Sequence, residues 1–203
     1  MKVQRLNVGQ LATNCYLVWD EKTRETLIID PGEAAAYIEA KIADLKLKPT
    51  ALLATHAHFD HVLAALELKL AYQIPFLIHP KDLFLLKQAQ KSAKYFLGIE
   101  VDPVPSADRF LKEKEMIKFG QEVLKVMETP GHTPGGISLF GQGVIFSGDT
   151  LFANGLGRTD FSYSSKKDLH QSLSKIFKLP KATILYPGHG EVSTIGEAKK
   201  EQI

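Results

Sequence analysis

Cys15 is the only cysteine in a chain of 203 residues, which excludes an internal disulfide and a zinc cage built from thiolates. No apolar run approaches the roughly 20 residues that cross a bilayer. The opening MKVQRLNVGQ lacks the apolar core of a secretory signal. A cytoplasmic location without membrane association is therefore the expectation. An excess of one charge is missing too, since 25 Lys and Arg face 23 Asp and Glu for a net charge of +2. That balance provides no basic stripe to neutralise phosphates, so nucleic acid is not an expected partner. The sequence also holds no low-complexity tract, short-period repeat or linker-like stretch.

What it does hold is 44% hydrophobic residues, enough for one globular domain spanning 1–203, inside the ~50–250 residues common for domains. Runs rich in Val, Ile, Leu and Thr predict strands at 3–7, 15–20 and 26–30, the third stopped by Pro31-Gly32. Ile38, Ile42 and Leu45 lie at helical spacing and predict a helix over 34–47, with Pro49 beyond its end. A buried strand at 51–54, a helix at 62–72, a strand at 75–78 and a longer helix from near Lys81 follow. Pro103 and Pro105 mark 100–106 as a connecting loop. The second half predicts strands at 116–119, 123–129, 137–140 and 144–147, a helix at 166–177 and a last strand at 183–186. Two halves, each of strands followed by helices, predict two sheets with helices on their outer faces.

Chemistry concentrates in Thr55-His56-Ala57-His58-Phe59-Asp60-His61. Imidazole and carboxylate are the ligands suited to zinc, iron and similar divalent metals. In an extended segment His56 and His58 point the same way, because side chains alternate with period two. Asp60 and His61 fall where the chain turns into the next helix and can face a neighbouring point. Burying four such groups beside an apolar strand is costly unless they find partners. Three further candidates each follow an apolar run beside glycine: His132 in Thr-Pro-Gly-His-Thr-Pro-Gly, Asp149 in Ser-Gly-Asp-Thr, and His189 in Pro-Gly-His-Gly. Glycine and proline allow the tight turns that aim a side chain from a strand end into a shared cleft.

Taken in order, these segments resemble the metallo-β-lactamase superfamily, and within it the short glyoxalase II-like (hydroxyacylglutathione hydrolase-like) branch. The resemblance runs from Thr13-Asn14-Cys15-Tyr16 and Ile29-Asp30-Pro31-Gly32 to Thr194-Ile195-Gly196-Glu197. It implies an α/β (α+β) chain folded as an αββα sandwich of two mixed sheets, with a metal centre at one edge between them. It assigns His56, His58 and His132 to one metal, Asp60, His61 and His189 to a second, and Asp149 to both. Two divalent ions are implied, zinc first, with iron or manganese as alternatives. True β-lactamases of the superfamily often carry cysteine at the position of Asp149. The implied activity is hydrolysis of a small-molecule thioester or ester, a hydroxyacyl thioester foremost, by a water that paired cations ionise. Asp60 is then both ligand and the carboxylate placed to orient the attacking water or accept its proton.

Several residues keep two readings. Asp30 either supports the histidine loop from behind, as metal ligands commonly require, or is a turn residue before Pro31. Arg158, in Gly-Arg-Thr-Asp, either binds a substrate carboxylate with its planar fork or pairs with Asp160. His79 is expected as a strand-end residue, His170 as an exposed helix residue, and Cys15 as a small buried hydrophobe. The long glyoxalase II enzymes carry a C-terminal extension supplying basic residues for glutathione, whereas this chain ends at Ile203. They also tend to have tyrosine just after the last histidine, where Gly190-Glu191 stands here. These two departures leave open whether glutathione is the leaving thiol. Gly-Arg-Thr-Asp is also similar to a stretch of the persulfide dioxygenases, which makes a one-iron oxidoreductase the main rival. A hydrolase of other esters or lactones is a second alternative.

Overall fold

The computed structural model describes residues 1–201. Three antiparallel strands open it, β1 (Lys2–Val8), β2 (Thr13–Trp19) and β3 (Glu25–Ile29). Then α1 (Ala35–Asp44) leads into β4 (Lys48–Leu53), α2 (Ala65–Tyr72) into β5 (Phe76–Ile78), and α3 (Leu83–Leu97) towards β6 (Arg109–Phe110). Strands β3 to β6 pair in parallel and complete a six-stranded sheet in sequential order. A second six-stranded sheet holds β7 (Met116–Phe119), β8 (Glu122–Glu128), β9 (Ile137–Gly141), β10 (Val144–Gly148), β13 (Ile184–Pro187) and β14 (Ser193–Thr194). Between its halves lie a small hairpin, β11 (Leu151–Phe152) with β12 (Gly155–Leu156), and α4 (Lys166–Ile176). The last helix is α5 (Ile195–Lys200).

Three apolar clusters show why these layers form. β2 is buried along its whole length, and its residues divide by period two. Cys15, Leu17 and Trp19 pack outward against Ile38, Ile42, Leu68 and Ala89 of α1, α2 and α3. Tyr16 and Val18 face inward, onto Phe119, Val126, Leu139 and Phe146 of the second sheet. β10 repeats the division, Val144 and Phe146 inward and Ile145 outward onto Leu169, Leu173 and Ile195 of α4 and α5. A strand covered on both faces needs apolar residues at successive positions, which is the pattern of 15–19 and 144–146. The architecture is the αββα sandwich of two mixed sheets that the resemblance implied. Among the described residues no helix is long and apolar enough to cross a membrane.

Local departures from expectation have local causes. The helix predicted over 34–47 ends at Asp44 because Lys46 adopts φ 52°, and the Leu47 N–H turns back to the Ile42 carbonyl at 2.9 Å. The helix predicted from Val62 begins at Ala65, after a separate tight turn at Phe59–His61. α5 lies beyond the predicted elements, although Thr194 and Glu197 form a capping box.

Candidate active site

All seven candidate ligands sit just past strand ends, where backbone turns replace ladder hydrogen bonds. β4 runs into residues 54–61, β8 into 129–135, β10 into Asp149, and β13 into Gly188-His189. The two sheets are stitched at this edge. The Asn14 N–H donates to the Gly188 carbonyl at 2.8 Å, and Ile137 N–H to the Thr55 carbonyl at 2.8 Å. Tyr16 Oη donates to the Pro187 carbonyl at 2.6 Å. The strand is not continued past Leu53: residues 55 and 56 form a bend and 57–58 are irregular. The shared direction of His56 and His58 therefore comes from the turn and not from strand alternation.

Three overlapping groups result: His56, His58 and His132; His56, His61 and Asp149; and Asp60, His61 and His189, each with its ligand atoms within 4.8 Å of one another. His58 Nδ1 lies 3.0 Å from both His56 Nε2 and His132 Nε2. His61 Nε2 is 3.3 Å from His189 Nε2 and 3.5 Å from Asp60 Oδ2. Asp149 stands between the trios, Oδ1 3.6 Å from His61 Nε2 and Oδ2 3.6 Å from His132 Nε2.

The far side of each ring explains what the near side offers. His132 Nδ1 meets the Arg158 carbonyl at 2.9 Å, and His189 Nδ1 meets the Leu11 carbonyl at 3.1 Å. A carbonyl only accepts, so Nδ1 carries a proton in both rings, and in the neutral form that a cation binds Nε2 turns a lone pair to the centre. His58 Nε2 is engaged by the Tyr163 hydroxyl at 2.8 Å. Asp149 Oδ1 is buried with no hydrogen-bond partner among the described residues. Between neutral rings, lone pairs and carboxylate oxygens aimed at one another repel, and a buried unpaired carboxylate oxygen is costly. A divalent cation in each of the two outer trios, His56–His58–His132 and Asp60–His61–His189, removes both problems, so the residues fit a two-metal centre.

The electrostatics of the side chains separate the trios. Burial pushes His56 well below its usual pKa, with His61, His58 and His132 adding to it, and pushes His58 down to about 3 despite Asp60. Burial opposes the His61 cation as well, yet Asp60, Asp149 and Asp30 outweigh it and hold the ring up at about 10. His189 moves upward against its burial through Asp60 and Asp149. Burial works to raise Asp60, but His61 and His189 overcome it and keep the carboxyl well below the carboxylate range.

Asp30 lies behind the histidine loop, accepting the Thr55 N–H at 2.7 Å and the Thr55 hydroxyl at 2.8 Å. Its Oδ2 is also 3.1 Å from His61 Nδ1, a contact too bent to count as a good hydrogen bond. Arg158 forms a two-pronged pair with Asp160, at 2.7 and 2.6 Å, while lining the cleft. His79 ends β5, is buried, and accepts the Lys81 N–H. His170 is exposed on α4, and Cys15 is buried.

Sequence reasoning missed three residues at this centre. Thr13 donates its hydroxyl to Asp60 Oδ2 at 3.1 Å. Tyr163 touches His58. Asp82, buried at the start of α3, accepts from the loops that carry both His58 and His132. Only Thr13 carried a signal, as part of the Thr13-Asn14-Cys15-Tyr16 stretch.

The centre opens into a cleft of about 520 Å³ lined by Phe59, Leu85, Phe96, Arg158, Phe161 and Tyr163 among others. This fold, with its histidine and aspartate loops gathered at one sheet edge, defines a metal-dependent hydrolase class. The chain belongs to the metallo-beta-lactamase superfamily, whose family model matches residues 8–189. It is 34% identical over 204 residues to hydroxyacylglutathione hydrolase GloC of Haemophilus influenzae, covering 98% of this chain and 96% of that one. It is 33% identical over 195 residues to the mitochondrial persulfide dioxygenase ETHE1 of Mus musculus, covering 92% and 69%. Two solved structures share the fold: BLEG-1 B3 metallo-beta-lactamase (TM-score 0.91, 33% identity, covering 98% and 97%) and TTHA1623 in a di-iron-bound form (0.90, 35%, 98% of each).

Proposed function

We propose that the chain is a dinuclear metal hydrolase cleaving a hydroxyacyl thioester. His56, His58 and His132 hold one divalent ion, Asp60, His61 and His189 hold the other, and Asp149 is shared. The observation that carries this reading is the gathering of all seven side chains in three overlapping groups about Asp149, whose Oδ1 is buried without a hydrogen-bond partner among the described residues. Zinc is the first cation and iron the alternative, because imidazole and carboxylate suit both and the similar TTHA1623 is described as di-iron-bound. Cations bound there acidify a water and polarise a carbonyl.

The chain's own residues position the reactants. Asp60, steadied by the Thr13 hydroxyl, stands where it orients the attacking water or accepts its proton. Tyr163 fixes the ring of His58, and Asp30 fixes the loop through Thr55. A thioester suits the site because a thiolate departs with little need of protonation near neutral pH. The likeness to GloC, over nearly the whole of both chains, supports this substrate class.

The test is hydrolysis of a lactoyl thioester by protein stripped of metal and then reloaded. Activity vanishes on stripping and returns with two equivalents of zinc or iron, but not in His56→Ala or Asp149→Ala. Full activity in metal-free protein refutes the reading. One iron per chain with oxygen uptake on a persulfide moves it to the class of ETHE1 instead.

A further inference from the structure

Among the described residues, the cleft lining outside the metal-facing side chains holds one charged group, Arg158. α3 presents Leu85, Gln88, Ser92 and Phe96 to it, spaced three and four residues apart so that they form one stripe. The lysines of α3, at 87, 91 and 94, do not line it. Phe96 stacks on Phe59, ring centroids 5.9 Å apart at 12°. A second pair, Phe161 on Tyr163, stacks at 5.2 Å and 12°. Phe161 reaches the metal-facing rings themselves, 5.3 Å from His58 and 5.9 Å from His132. Among the described residues, Arg158 is the one lining residue besides the histidines able to carry positive charge, and Asp160 already fills its fork. The Arg158 guanidinium also lies over the Phe161 ring at 4.5 Å.

We propose that the thiol half of the substrate is an uncharged aralkyl or aryl thiol, seated on the Phe59–Phe96 and Phe161–Tyr163 pairs. This rests on the thioester-hydrolase reading and narrows its substrate class. Water adds its oxygen to the acyl carbon as the C–S bond breaks, giving a carboxylate, a free thiol and one proton. The departing group must dwell in the cleft through that step. An aromatic thiol gains from area burial and ring contacts there. A glutathionyl group would bring two carboxylates and an ammonium, which lose water without partners in the cleft.

Two D-lactoyl thioesters with the same acyl group test the proposal, one of benzyl mercaptan and one of glutathione, thiols of similar acidity. The benzyl thioester is expected to show kcat/KM about tenfold higher or more. Phe96→Ala removes most of that advantage, and because Phe96 is 56% exposed the change probes the cleft and not the fold. Asp160→Asn frees the Arg158 fork and raises kcat/KM for the glutathione thioester. Equal or faster turnover of the glutathione thioester by the wild type overturns the proposal. If the metal-loaded protein hydrolyses neither, the hydrolase reading fails. Calorimetry with the matching thioethers, 1-(benzylthio)propan-2-ol and S-(2-hydroxypropyl)glutathione, then judges the cleft alone. Tighter binding of the benzyl compound upholds the apolar seat, and equal or tighter binding of the glutathionyl compound overturns it.

Discussion

Asp82 and Gly135, 53 residues apart in sequence, are joined by a 2.6 Å hydrogen bond from the Gly135 N–H to Asp82 Oδ1. The other oxygen of the same carboxylate accepts the Ala57 N–H at 3.1 Å and the Thr133 hydroxyl at 2.8 Å. Ala57 lies between His56 and His58, and Thr133 follows His132. One buried side chain thus sets the distance between the two loops that form the three-histidine trio. The approach is close enough that a Cβ at position 135 would stand 2.6 Å from Asp82 Oδ1.

Asp82→Ala strands three buried donors. At about 1–3 kcal/mol for each unsatisfied group, the folded state should lose roughly 3 kcal/mol or more, read from urea unfolding. Metal affinity, measured by competition with a chelator, should fall about 10–100-fold, as for other supports behind metal ligands. A folded variant that binds metal as tightly as the wild type would show that Asp82 does not position the histidines.

Gly188→Ala is expected to damage the centre more than the fold. The added methyl would lie 2.2 Å from Asp149 Oδ1 and 2.9 Å from His61 Cε1, so both side chains must move. Displacing catalytic groups by about 1 Å can cost about 100-fold in rate. Thioester hydrolysis should fall by at least about that factor while the circular dichroism spectrum is kept. Wild-type activity in this variant would place Asp149 outside the reaction.

The metal-free side chains also predict a proton count. His61, held up at about 10, is charged at pH 7 before metal arrives, and His189 is shifted in the same direction. A cation needs their neutral form, so filling this trio releases protons, and its affinity rises as pH increases from 6 towards 9. His56 and His58, both pushed down, are already neutral at pH 7 and release none. Calorimetry of zinc binding in buffers of differing ionisation enthalpy reads the number. His61→Ala should release fewer protons than the wild type, and identical heats in every buffer would contradict the assignment.

The gathering of the candidate ligands was legible because their chemistry is written in side-chain type and short spacing. His56 to His61 lie on one loop, and His132, Asp149 and His189 each stand beside glycine. The layers were legible because strands such as β2 and β10 are apolar at successive positions. Asp82 was not, since an acidic residue after Pro80 and before Leu83 reads as ordinary helix-start chemistry. It makes no cap hydrogen bond there and turns to Ala57, Thr133 and Gly135 instead. Those partners are 25 to 53 residues away, a distance no local pattern encodes. Tyr163 was hidden for the same reason, its contact with His58 spanning 105 residues. Arg158 could not be resolved from sequence because Asp160 and a substrate carboxylate offer its fork the same geometry.

Anomalous scattering from crystals grown with zinc tests the two-metal centre most directly. The account predicts two peaks ~3.5–4 Å apart, one against His56 Nε2, His58 Nδ1 and His132 Nε2, the other against Asp60, His61 and His189, with Asp149 reaching both. Zinc absent from both trios, or bound only at surface residues, would contradict it.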